Sequence, residues 1–150
     1  MITTDIDKLS SEDYFRFLTY KSSVFEDTMA FQQKYGLWDS EQSGFLSDEN
    51  MKVKLGHLQE ELNEIVAGYV NKDLAQVCDG LIDLIYVASG TLNLMNMPAQ
   101  QLWNDVQLRN MKKIRATADN MGKRGSTFDV IKPEGWTGPR TEDIIEASKN

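Results

Sequence analysis

Residues 48–97 read DENMKVKLGHLQEELNEIVAGYVNKDLAQVCDGLIDLIYVASGTLNLMNM. In the first half, Met51, Leu55, Leu58, Leu62, Ile65 and Tyr69 follow one another at alternating steps of four and three, the apolar stripe of an amphipathic helix. Asp48 stands where such a helix would be N-capped. Asn71, Lys72 and Asp73 leave room only for a tight turn, with Asp73 placed to cap a second helix that runs to about Met97, before Pro98. In that second helix Leu81, Ile82, Leu84, Ile85, Val87 and Ala88 are apolar on nearly every side, which predicts a place at the centre of the fold.

Two helices joined by so short a turn run antiparallel, so residues equally far from the turn lie level. Counted this way, Glu61 is level with Asp83 and Glu64 with Asp79. His57, Glu61, Glu64 and Gly68 form a stripe beside the apolar one, rotated from it by about 100°. Carboxylates from both helices therefore meet across one hairpin.

Working outward, residues 11–35 lack Pro and Gly and space Phe15, Leu18, Val24, Phe25, Met29 and Phe31 compatibly with a helix capped by Ser10 or Ser11 and ended by Gly36. The segment GLWDSEQSG, residues 36–44, predicts a loop packed against the body. Pro98 is suited to start a helix over residues 99–118 with Leu102, Trp103, Val106 and Met111 inward. Residues 119–141, rich in Gly, Lys, Arg and Pro, read as an ordered arm with one β-like run, Phe128 to Ile131, before a short last helix from Thr141 to about Ser148. The expected fold is all-α: a helical bundle built on a central antiparallel hairpin, with an irregular C-terminal arm, in one domain of 150 residues.

A formal charge of −7, from 16 Lys and Arg against 23 Asp and Glu, argues against a partner that is polymeric nucleic acid. The single cysteine, Cys78, excludes an intrachain disulfide and reads as a buried reduced thiol, which suits the cytoplasm. No basic-then-apolar leader opens the chain, and its longest apolar run, Leu81 to Met97, is broken by Asp83, Asn93 and Asn96; a membrane partner is not expected.

Gathering four carboxylates is unfavourable unless protons or cations compensate, and hard divalent ions, Mg²⁺ first and Mn²⁺ second, fit an all-oxygen donor set. Such a site points to phosphoryl or nucleotidyl chemistry. Taken alone, Glu60, Glu61 and Glu64 read first as a solvated helix face, and Asp79 reads as readily as a favourable first-turn acid or surface charge. Asp83, enclosed in LIDLIYVA, is harder to explain without a ligand role.

The pair Glu60-Glu61-Leu62-Asn63-Glu64 and Asp79-Gly80-Leu81-Ile82-Asp83, within DGLIDLIYVASGTLNLMNMP, resembles the all-α nucleoside triphosphate pyrophosphohydrolases, which include MazG-like proteins and phosphoribosyl-ATP pyrophosphohydrolase. The likeness continues through Asn110-Met111-Lys112-Lys113, Lys123-Arg124-Gly125 and Asp129 to Trp136, and looks most like the phosphoribosyl-ATP pyrophosphohydrolase branch. Two features depart from the pattern: Gly80 stands where the common motif has Glu, and the acid-to-Asp spacing is four instead of three. Gln107 and Arg109 also replace a His and a Ser common among relatives.

The resemblance implies a Mg²⁺ site of Glu61, Glu64, Asp79 and Asp83, with Glu60 handling the attacking water. It further implies a nucleoside triphosphate substrate, cut between the α- and β-phosphates, or phosphoribosyl-ATP instead. Substrate contacts are expected from Lys54, His57, Tyr86, Asn110, Lys113, Arg124 and Lys132, with the base near Phe25, Met29, Gln32, Trp38 and Tyr86. A non-catalytic helical protein that binds a basic partner through the acidic face is the competing class. A hairpin apolar on nearly all sides also predicts a homodimer or homotetramer, in which a second chain can contribute to the pocket.

Overall fold

A computed structural model describes Ser10 and residues 22–149. Its elements are α1 (Val24–Lys34), α2 (Asp48–Asn71), α3 (Leu74–Leu94), α4 (Ala99–Asn110), β1 (Ile114–Arg115), β2 (Val130–Ile131) and α5 (Thr141–Ala147). The fold is all-α, with one two-residue ribbon in which Ile114 pairs with Ile131 and Arg115 with Val130, antiparallel.

α2 and α3 pack as the antiparallel hairpin, by far the most extensive pairing of elements. The turn is built as the sequence predicts: Lys72 takes the left-handed conformation (φ 57°) that ends α2, and the Asp73 side chain accepts from the Gln76 N–H to start α3. Ser47, and not Asp48, caps α2 by accepting from the Asn50 N–H; Asp48 and Glu49 occupy the first turn, where the helix dipole favours acids.

Two glycines set the closeness of the hairpin. A Cβ on Gly68 would lie 2.9 Å from the Val77 nitrogen, and one on Gly80 would lie 2.9 Å from Ile65 Cγ1 and 3.3 Å from the Glu61 carbonyl oxygen. The seam of α2 accordingly passes through Met51, Lys54, Leu58, Glu61, Ile65 and Gly68, and that of α3 through Val77, Gly80, Leu84 and Val87. This corrects the phase of the sequence stripe: Leu55 (55 % exposed), Leu62 and Tyr69 (67 %) lie beside the seam and are left open.

α1 covers the C-terminal half of α3 through a polar core. Thr28, fully buried, shares a 2.8 Å hydrogen bond with Ser89, while Asn93 donates to the Phe25 carbonyl and to Thr28 Oγ1. Gln32 Nε2 donates to the Gly90 carbonyl. α1 begins at Val24 under a capping box in which Ser23 accepts from the Glu26 N–H and the Glu26 side chain accepts from the Ser23 N–H. Ser23 is extended, so the expected unbroken helix to Tyr35 does not pass through it; residues 11–21 of that expectation lie outside the described residues.

Asn96, left-handed at φ 51°, ends α3 and holds the 38–42 loop, donating to the carbonyls of Asp39 and Gln42 and accepting from Trp38 Nε1. α4 ends at Asn110, eight residues short of the expected boundary, because the chain turns at Met111 and Lys112 into β1. Trp103 (60 % exposed) and Met111 (73 %) are open, not inward as expected; Trp103 meets only the edge of Phe25 among the aromatic rings described. The arm hangs on α4: Trp136 Nε1 donates to the Arg109 carbonyl, Arg109 pairs with Asp105 and Thr137, and the Arg140 N–H donates to Asp105.

α3 is long and apolar enough to cross a membrane by length and composition alone. Its two mid-helix carboxylates and its hydrogen bonds to α1 are those of a core helix, although Leu81, Ile82 and Ile85 remain open in the single chain.

Candidate active site

A helix advances about 100° per residue, so distance around each axis from the seam sorts the side chains of the hairpin. On α2, His57, Glu60 and Glu64 turn to one side of the seam, and Leu55, Leu62, Val66 and Tyr69 to the other. On α3, which runs the opposite way, Asp79 and Asp83 turn to the acidic side, and Leu74, Cys78, Leu81 and Ile85 to the apolar one. The hairpin is thus a two-sided slab, with carboxylates from both helices on one side.

Glu61 is the least exposed of these acids because the close approach at Gly80 draws its backbone against α3. Its carboxyl titrates above the ordinary glutamate range, chiefly because it is partly desolvated and then because Asp83, Glu64 and Glu60 repel its charge; His57 acts in the opposite sense. These influences place His57, Glu60, Glu61, Glu64 and Asp83 in one electrostatic neighbourhood. Among the described residues, none of Glu60, Glu61, Glu64, Asp79 and Asp83 has a hydrogen bond or ion pair to a cation.

Asp79 lies one turn before Asp83 on the same side but is not among the groups acting on Glu61. A Glu at position 80 would not supply the missing acid, because Gly80 is buried in the seam against Ile65. Asp83 is exposed in the single chain, which corrects the expectation that it is enclosed; Cys78 is likewise exposed, not buried. They are open on opposite sides of α3, Asp83 on the acidic side and Cys78 on the apolar one, because α2 covers only the seam between them.

The donor set suits a hard divalent cation: several carboxylate oxygens, mutual repulsion that an added positive charge relieves, and, among the described residues, no lysine or arginine paired with them. Among the described residues no three acids or histidines converge into a ready-made cage. Uncompensated carboxylates are expected to splay in this way.

The expected substrate residues divide into two groups. Lys54 lies in the seam two turns before Glu61, and His57 one turn before it. Tyr86 stands one turn beyond Asp83, its ring 5.7 Å from Phe31, which in turn lies 4.7 Å from Tyr35. Burial first, and then Asp27 and Tyr35, raise the Tyr86 phenol, which stays neutral. Phe31 and Tyr35 are aromatic neighbours of this side that the sequence reading did not assign; their i, i+4 spacing on a helix was the available signal. Of the residues expected around the base, Trp38 is held at the far end of α3 by Asn96 and Phe25 faces Trp103.

Asn110, Lys113, Arg124 and Lys132 are not gathered at the carboxylates. Asn110 ends α4, and the three cations belong to the ribbon, where Lys113, Lys123, Arg124 and Lys132 line a cavity of about 430 Å³. Arg124 grips Asp129 with one nitrogen at 2.7 and 2.8 Å from the two carboxylate oxygens. That contact is the main reason Asp129 titrates below the ordinary range.

The family model for phosphoribosyl-ATP pyrophosphohydrolase matches residues 38–110, which span both helices of the hairpin, all five acids and α4. Over those residues, just under half of the chain, it is similar to the phosphoribosyl-ATP pyrophosphohydrolases, a family within the all-α MazG-like superfamily of pyrophosphohydrolases that act on nucleotide-like substrates. No curated protein matches it.

Proposed function

We propose that the protein hydrolyses a nucleoside triphosphate between the α- and β-phosphates, with Mg²⁺, to a nucleoside monophosphate and pyrophosphate. The observation that carries this reading is the one-sided acidic face of the hairpin, where Glu61 is repelled by Asp83, Glu64 and Glu60 and, among the described residues, only His57 acts against them.

Glu61, Glu64 and Asp83 hold the metal, Asp79 assists from one turn away, and Glu60, next to Glu61 on the open side, orients and deprotonates the attacking water. Mg²⁺ (or Mn²⁺) on this face supplies charge neutralisation at the phosphoryl oxygens and acidifies the water. Tyr86, Phe31 and Tyr35 offer ring faces and edges for the base. Lys54 and His57 lie along α2 toward the phosphates, with Asn110, Lys113, Arg124 and Lys132 as further phosphate contacts. The exposed apolar side of the hairpin supports a homodimer or homotetramer.

The family match favours a second reading at least as strongly: phosphoribosyl-ATP as the substrate, opened at the same bond. A panel of canonical and modified NTPs and dNTPs beside phosphoribosyl-ATP, each with Mg²⁺ and with Mn²⁺, separates the two. Growth of a histidine auxotroph on this chain would establish the second. Binding of a basic protein with no turnover on any member of the panel would replace both with the non-catalytic reading.

A further inference from the structure

We infer that the nucleotide this chain takes carries a positively charged base, such as a purine alkylated on a ring nitrogen, which the open rings of Phe31, Tyr35 and Tyr86 hold beside the acidic face. The inference rests on the hydrolytic reading above and names its substrate class.

The first observation is where the rings lie. Asn93 donates to the Phe25 carbonyl, Thr28 bonds Ser89, and the Phe31 ring meets Tyr86, so α1 runs antiparallel to α3 and Tyr35 comes level with Ile82 and Asp83. The stripe of α3 that meets α1, formed by Tyr86, Ser89, Gly90 and Asn93, continues toward the start of the helix through Asp83 and Asp79. Tyr86 is about 4.5 Å along the axis from Asp83, so a nucleotide whose α-phosphate is held at the acids carries its base to the rings.

The second observation is what the rings attract. They stay open although they touch one another: Phe31 is 42 % exposed, Tyr35 57 % and Tyr86 38 %. An aromatic face draws a cation placed within about 6 Å of its centre, and the Lys34 ammonium already lies 5.2 Å over the Tyr35 ring. That ammonium is compact and strongly hydrated, whereas the charge of an alkylated base is spread over a flat ring that stacks, so the base makes the better contact. Carboxylates flank the cluster on both helices. Asp27 stands one turn before Phe31, its partner among the described residues being the Ser22 hydroxyl at 2.6 Å, and Asp83 stands one turn before Tyr86. The titratable groups that act on the Tyr86 phenol, Asp27 and Tyr35, are both acidic.

The third observation is what this side does not offer. A neutral base is told from another by the donors and acceptors on its edge, which calls for free amides or hydroxyls in the site. Those between α1 and α3 are spent inside the fold. Gln32 donates from Nε2 to the Gly90 carbonyl at 2.6 Å and its Oε1 is enclosed. Asn93 donates to the Phe25 carbonyl and to Thr28, whose hydroxyl also bonds Ser89. Ring surface and negative charge remain, and these discriminate by the charge of the base.

The test is isothermal titration of the full chain, with Mg²⁺, against three monophosphates. They are guanosine monophosphate, 7-methylguanosine monophosphate, whose base is cationic, and 6-O-methylguanosine monophosphate, which carries a methyl group without the charge. The cationic compound is expected to bind about tenfold more tightly than either neutral one, the gain of a partly desolvated contact between a cation and aromatic faces. Tyr35→Leu and Asp27→Asn should each reduce that gain severalfold, and Tyr35→Phe should keep it; Tyr35 is open at the end of α1, where either replacement fits. Equal affinity for all three compounds, an equal gain from both methyl groups, or a gain untouched by Tyr35→Leu would overturn the inference. Monophosphate binding needs no turnover, so any of these results leaves the hydrolytic reading standing. That reading is judged separately, by pyrophosphate release from the corresponding triphosphates.

Discussion

Gly80 couples the packing of the hairpin to the geometry of its acids, and a Gly80→Ala substitution measures that coupling. The added Cβ falls 2.9 Å from Ile65 Cγ1 and 3.3 Å from both the Glu61 carbonyl oxygen and the Ile65 nitrogen. Replacing Gly by Ala within a helix gains roughly 0.5–1 kcal/mol, while forcing a methyl into a closed interface costs about 1–3 kcal/mol. Gly56 provides the reference: it is also in a helix interior, and nothing lies within 4 Å of its Cβ direction. Gly56→Ala should therefore stabilise by the helix gain alone. Gly80→Ala should fall below it by about 1–3 kcal/mol, read from urea midpoints with the m-value unchanged. In a chain of this size that difference separates the melting temperatures by about 2–4 °C per kcal/mol. Spreading the helices at Gly80 also moves Glu61 from Asp83, so Mg²⁺ should bind more weakly to the Gly80 variant and normally to the Gly56 variant. If Gly80→Ala stabilises as much as Gly56→Ala, the seam is looser than described and the account of Glu61 fails with it.

Because the Glu61 carboxyl is raised in the folded state, the metal-free fold binds its proton more tightly than the unfolded chain does. This contribution is present at acid pH and is lost as pH rises from the ordinary glutamate range through the higher folded-state value. Metal-free stability should therefore slope downward there, Glu61→Gln should flatten the slope, and Mg²⁺ should restore stability near neutrality, by about 2.7 kcal/mol at a hundredfold excess over its Kd. Thr28→Val strips the hydroxyl from the buried network and leaves Ser89 and Asn93 short of a partner, a loss of about 1–3 kcal/mol in denaturant melts. Leu81→Arg, in the middle of the apolar side, should lower the mass measured by light scattering to that of one chain while far-ultraviolet circular dichroism stays helical. An unchanged oligomer mass would remove the apolar side from the interface.

The hairpin was legible because its signals are local and agree: a four-and-three apolar rhythm, a three-residue turn, and Asp73 as the cap. The antiparallel register followed from counting, and Gly68 against Val77 and Gly80 against Ile65 bear it out. The phase of the seam was not legible. Leu55, Leu62 and Tyr69 look as much like core as Met51, Leu58 and Ile65, since apolarity does not say whether the covering surface comes from the same chain. Cys78 and Asp83 were placed inside for the same reason. The break at Ser23 had a sequence signal, Ser-x-x-Glu over Ser23 to Glu26, hidden inside a run without Pro or Gly. The strand Val130–Ile131 falls inside the β-like run expected over Phe128 to Ile131, whereas its partner Ile114–Arg115, two residues long, is too short for any alternation to register. The acids were found by spacing, but the separation of Lys113, Arg124 and Lys132 from them is a property of where α4 leads the chain, which no local pattern contains.

On the proposed reading, the acidic face directs hydrolysis at the α–β bond with a divalent ion. Its most direct test is ³¹P NMR of a substrate triphosphate turned over by the wild-type chain and by Asp83→Asn, with and without Mg²⁺. Pyrophosphate and the nucleoside monophosphate are expected from the wild type with Mg²⁺ only, and neither product from Asp83→Asn. Orthophosphate with a diphosphate product, or equal turnover by the Asp83 variant, would contradict the account.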